Sequence, residues 1–148
     1  MPEFKKTFII TSVIYFSPGK LSNSTVRSVF SPEERIVQTI KTINSIRQKL
    51  PQATIVLLEM GREKNIAREL VNMVDKYLFA GNNPLVRWAA NGKFKGLGEA
   101  MGLIVFKKEL NTGADFFFKI SGRYYLNDHF NPEDWEENFF SARKYEKG

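Results

Sequence analysis

Short, largely apolar runs rich in β-branched and aromatic residues recur along this chain, at 7–16, 53–59, 77–80 and 115–120, and the first two are nearly continuous. An unbroken apolar run of strand length fits a strand covered on both faces, as in a parallel sheet. Helix-patterned stretches lie between the runs. Ser31-Pro32-Glu33-Glu34 carries a capping serine, a first-turn proline and a box-closing glutamate, and Ile36, Ile40, Ile43 and Leu50 mark the stripe that Pro51 ends. A second helix is expected over about 62–76, with Ile66, Leu70, Met73 and Val74 on one face. A third starts near Lys95, shows Leu97, Ala100, Met101, Ile104 and Val105 at steps of three and four, and has Lys107 and Lys108 in its last turn. The order β-α-β-α-β-α-β predicts an α/β fold, a mostly parallel Rossmann-like sheet with helices on both faces. At 148 residues the chain reads as a single domain, 1–148.

Parallel order has a functional consequence, because such sheets bind ligands outside the carboxyl ends of their strands. All strand exits then share one edge. They are a long serine-bearing loop at 17–30, Glu59-Met60-Gly61-Arg62, an irregular segment from Asn82 to Lys95 opened by Gly81-Asn82-Asn83-Pro84, and the stretch from Lys119 to Tyr124. A short acidic helix with Trp135, Phe139 and Phe140 follows Asn131-Pro132, and Glu133, Asp134, Glu136 and Glu137 suit its N-terminus.

Composition removes several chemistries. Without cysteine there is no disulfide, thiolate metal site or cysteine nucleophile, which suits a reducing compartment and makes a cytoplasmic location the expectation. His129 is the sole histidine and reads as a surface turn residue, so neither a triad nor an ordinary zinc site is supported. No apolar run is long enough to span a bilayer, and no signal peptide is visible. A net charge of +6 favours an anionic partner.

The stretch from Asp115 to Asp128 concentrates the chemistry. Phe116, Phe117, Phe118 and Ile120 make a buried strand, Lys119 interrupts it, Gly122 permits a turn, and Arg123 and Tyr124 follow at once. Two cations leaving an apolar strand need anionic partners. A nearby carboxylate is one answer and a phosphate site the other. Lys93-Phe94-Lys95-Gly96-Leu97-Gly98-Glu99 stands at an expected helix start, where exposed backbone N–H groups and the dipole favour an anion. Close helix packing explains its glycines equally well, and dipole stabilisation explains Glu99. Glu59, at a strand exit, reads equally as a solvated acid.

Taken together these elements resemble the nucleotide-sugar-binding half of a GT-A-fold glycosyltransferase, over roughly residues 7–128. The opening strand Phe8-Ile9-Ile10-Thr11-Ser12-Val13 leads into a loop, Leu57-Leu58-Glu59 ends in an acid, and Gly96-Leu97-Gly98-Glu99-Ala100-Met101-Gly102 looks like the small-residue helix before the metal-site strand. Lys119-Ile120-Ser121-Gly122-Arg123-Tyr124 looks like a Lys-x-x-Gly-Arg-Tyr variant in place of the usual Asp-x-Asp.

The resemblance implies a nucleotide-diphosphate sugar as ligand and transfer to an unknown acceptor. Thr11, Ser12 and Glu59 would face the nucleoside. Lys95, Gly96 and Glu99 would support the donor, and Lys119, Gly122, Arg123 and Tyr124 the diphosphate or sugar. Cations where the acidic pair normally stands imply no required cofactor and little dependence on a divalent ion. Asp128 is isolated further on. The family's acceptor-binding half and catalytic base have no counterpart here, so the chain is expected to bind donor while transferring poorly, or to need a partner or a further C-terminal part to complete the site. The alternatives are a degenerate, non-catalytic nucleotide-binding domain and a basic nucleic-acid-binding protein. The second is disfavoured because Lys and Arg are scattered and no aromatic-basic recognition motif is evident. No nucleic-acid partner and no membrane span are expected.

Overall fold

Side chains of strand β1 (Lys6–Ser12) alternate between two cores in the computed structural model, which describes residues 3–16, 28–94 and 96–135. Phe8 and Ile10 point into one core with Ile55 and Leu57 of β2 (Thr54–Glu59), Ile43 and Ile46 of helix α1 (Pro32–Lys49) and Leu70 of α2 (Arg68–Met73). Ile9 points the other way. It joins Val56 and Leu58 of β2 against Val86 of α3 (Pro84–Asn91), Met101 of α4 (Leu97–Val105) and Leu110 of α5 (Lys107–Leu110). This is why the runs at 7–12 and 54–58 read as unbroken: both faces of β1 and β2 are covered. The run at 116–120, expected to be a buried strand, is instead covered mainly on one face, with Phe118 and Ile120 against the first core and Phe117 46% exposed on the other side.

The sheet is completed by β3 (Lys76–Phe79) and β4 (Phe116–Ser121), in the order β3-β2-β1-β4 with every pairing parallel. The chain builds outward from β1 to β3, then crosses the sheet to place β4 on the other side of β1. The strand order therefore reverses between β1 and β4, where an open α/β sheet leaves a crevice for a ligand.

Several boundaries depart from the sequence reading. Residues 84–91, expected to be irregular, form α3: Asn83 caps it by accepting from the N–H groups of Leu85 and Val86, and Pro84 occupies the first turn. Asn-Pro, read as a breaker, is here a helix start. Strand β1 ends at Ser12 rather than residue 16, α2 covers only part of 62–76, and the third expected helix divides at Phe106 into α4 and α5. Beyond β4 a 3₁₀ turn spans Pro132–Trp135; residues 136–148, with Glu136, Glu137, Phe139 and Phe140 of the expected acidic helix, lie outside the described residues, as do 17–27 of the serine-bearing loop. Among the described residues no helix is long and apolar enough to cross a membrane.

The chain after β4 is laid along α1 by a ladder of small polar side chains. Thr39 Oγ1 shares its proton between the Arg35 carbonyl one turn back at 2.8 Å and the Gly122 carbonyl at 3.3 Å, Thr42 Oγ1 donates to the Tyr124 carbonyl, and Ser45 Oγ accepts from the Leu126 N–H at 2.9 Å. Alternate backbone positions are thus tied to the helix, and Arg123 and Tyr125 lie between them, exposed. Lys49, at the end of α1, then pairs with Asp128 at 3.7 Å. Because α1 runs back toward the start of β2, this carries Asp128 to the end of the sheet opposite the strand exits. Phe130 returns to the core beside Phe8 and Phe118.

Candidate functional site at the carboxyl edge

A cleft of about 220 Å³ opens at this edge. Its walls come from the β1 exit (Thr11 to Phe16), α1 (Arg35 and Thr39), the β2 exit (Met60, Gly61 and Arg62), the stretch before and at the start of α4, and the β4 exit (Ser121, Gly122 and Arg123). Of the residues singled out from sequence, it brings together Thr11, Ser12, Gly96, Glu99, Gly122 and Arg123. Lys95 lies outside the described residues.

Glu59 does not line the cleft. It stands opposite Ser12 in the β1–β2 register and is 0% exposed. Its carboxylate accepts from the Ser12 hydroxyl and from the N–H groups of Ile14 at 2.9 Å and Gly61 at 2.8 Å. Burial pushes this carboxyl above its ordinary value, against the pull of those three donors and of the Arg35 charge. The Met60 N–H to Ser12 carbonyl bond (2.9 Å) and the Arg62 N–H to Tyr15 carbonyl bond (2.8 Å) complete the clamp. Glu59 thus fixes the β1 and β2 exits from beneath the floor instead of facing a nucleoside.

Lys119 is likewise held. It faces Ile9 across the β1–β4 register, on the side covered by α4, and its ammonium pairs with Glu99 Oε1. The Thr11 hydroxyl donates to the same oxygen at 2.6 Å. Glu99 is therefore a floor carboxylate shared by β1, β4 and α4, and Lys119 is its counterion rather than a wall of the cleft. Tyr124 is half-exposed and outside the wall as well.

Gly122 is buried and could not carry a side chain without disturbing α1, since a Cβ would stand 2.8 Å from Thr39 Oγ1. That close approach lets the ladder hold the β4 exit and present Arg123 to the cleft. Among the described residues no carboxylate pairs with Arg123. The bland alternative for this arginine, a structural ion pair, is thus not met within them.

The sequence reading missed Arg35. Its guanidinium donates to the Val13 carbonyl and to Ser28 Oγ (2.6 Å) and lies 4.8 Å from the centre of the Phe16 ring. A clue was present: an arginine just inside a helix start sits near the positive end of the dipole, where a cation is disfavoured unless something else holds it. Burial, then the neighbouring Arg123 charge, pull Arg35 below its ordinary value, with Glu59 opposing.

His129 is exposed in a turn, its N–H bonded to Asn127 Oδ1 at 3.0 Å, and Asp128 is far from the cleft. Among the described residues no three His, Asp or Glu side chains are grouped to hold a metal ion. No family model, curated protein or solved structure matches the chain.

Proposed function

We propose that this domain binds a nucleotide-diphosphate sugar at the carboxyl edge, as in the donor-binding half of a glycosyltransferase. The observation that carries the reading is Arg123, an exposed guanidinium without a carboxylate partner among the described residues, held at the crevice where the strand order reverses. The cleft is cationic: its described charged walls are Arg35, Arg62, Arg123 and Glu99, and Lys119 already balances the last. Tyr15, Phe16 and Phe94 add aromatic surface on which a base can stack.

Binding is better provided for than transfer. Transfer needs an acceptor hydroxyl held in line with the sugar carbon and a group to take its proton. Glu99 is the one carboxylate among the described lining residues, and its Oε1 already meets Thr11 and Lys119. A donor-binding domain with weak transfer, or a non-catalytic relative, is the form of the reading these residues favour. A thermal-shift panel of nucleotide sugars, with and without manganese, tests it: a bound donor raises the melting temperature. A panel with no shift at saturating concentration contradicts it. Binding of nucleic acid with a steep salt dependence and of no nucleotide sugar would instead select the basic-protein alternative.

A further inference from the structure

Arg35 and Arg123 reach the cleft from different elements, α1 and the segment after β4, and are close enough for each charge to act on the other. Like charges gathered at one cavity cost free energy unless an anion lies between or beside them. Among the described residues the compensation is partial. Glu59 acts on Arg35 from its buried place under the floor, while Glu99 is already engaged by Lys119.

Arg35 also has donors to spare. A guanidinium carries five N–H donors. Val13 and Ser28 receive bonds from the two terminal nitrogens, whereas Nε is buried with no hydrogen-bond partner among the described residues. Arg35 is held by those two bonds and Phe16, and the Thr39 and Thr42 bonds on either side of Arg123 fix the backbone from which its exposed side chain reaches the cleft. A guanidinium fixed before a ligand arrives, as Arg35 is, loses little entropy on binding, and an exposed planar fork such as that of Arg123 matches phosphate oxygens bidentately.

We infer that the cleft contains a subsite for a pyrophosphate-class anion, with Arg35 and Arg123 as its two cations and Lys119 outside it. This rests on the nucleotide-diphosphate reading for its ligand and deepens it, replacing the Lys119–Arg123 pair expected from sequence. Two separate guanidiniums favour two linked phosphates over one, because each can engage its own phosphoryl group.

Calorimetry with inorganic pyrophosphate and with orthophosphate, at matched ionic strength in a chelator, tests the subsite. One saturable site is expected, at least about tenfold tighter for pyrophosphate, and a loss of about tenfold or more in each of Arg35→Lys and Arg123→Gln. Equal affinity for the two anions, or an unchanged pyrophosphate affinity in Arg123→Gln, overturns it. Should Arg35→Lys fail to fold by circular dichroism, Arg123→Gln decides alone, since its side chain is exposed. Pyrophosphate binding with these losses, but no binding of any nucleotide sugar, keeps the subsite and rejects the donor reading. Nucleotide-sugar binding indifferent to both substitutions does the reverse.

Discussion

Thr11, the sixth residue of β1, donates a 2.6 Å hydrogen bond to Glu99 on the first turn of α4, across 88 positions of sequence. Lys119 closes onto the same carboxylate oxygen from β4. The three elements that meet at the crevice are thus joined through one side chain, and the other oxygen of Glu99 has no partner among the described residues.

That arrangement separates stability from binding. Thr11→Val removes a part-buried donor and is expected to cost about 1 kcal/mol by urea unfolding. Lys119→Met removes a partly exposed ion pair and is expected to cost less than about 1 kcal/mol. Glu99→Gln should leave stability nearly unchanged yet weaken nucleotide-sugar binding several-fold, through loss of a charged acceptor for ligand hydroxyls. Unchanged affinity with a large loss of stability would make Glu99 purely structural.

Glu59 gives a pH dependence of defined sign. Burial raises its folded-state value above the ordinary 4.5, so the folded form binds the proton more tightly than the unfolded one. Its contribution is fully present below 4.5 and is lost as pH rises from there through the raised folded value. Glu59→Gln keeps an acceptor for Ile14 and Gly61, so the variant should lose less stability than the parent between pH 4.5 and 7. Urea midpoints against pH measure this; identical profiles would contradict it. Glu59→Ala strands three donors and should cost about 3 kcal/mol or more.

The glycines of α4 make a contrast in rigidity. A Cβ on Gly98 would stand 2.6 Å from the Ala90 Cα of α3, a backbone atom, whereas one on Gly102 would meet the flexible Met60 Sδ at 2.6 Å. Gly98→Ala must push the helices apart and should cost about 1–3 kcal/mol. Gly102→Ala should cost clearly less, because methionine can repack and alanine improves helix propensity. Equal losses on thermal unfolding would count against this packing.

The layered fold was legible because the two central strands, β1 and β2, are buried on both faces, and that leaves an unbroken apolar run such as Ile55 to Leu58. The ends were less so. Asn83-Pro84 satisfies the rules for breaking a helix and for starting one, and only the cover that Val86 finds on the sheet decides between them. The edge of the cleft was legible from topology, and Arg123 from its place after β4. What Lys119 and Glu59 do there was not, because the Lys119–Glu99 and Ser12–Glu59 contacts depend on register between distant strands. Arg35 was hidden for a related reason: a basic residue on an amphipathic helix reads as solvent-facing until its distant partners, Val13 and Ser28, are in place.

The central claim concerns Arg123, and calorimetry of nucleotide-sugar binding to the parent chain and to Arg123→Ala, with melting curves for both, tests it most directly. Saturable binding to the parent, about tenfold or more weaker in the variant at an unchanged melting temperature, is the expected result, with little change on adding magnesium or manganese. Absence of binding to the parent, or a variant that binds equally well but melts far lower, would contradict it and return Arg123 to a structural role.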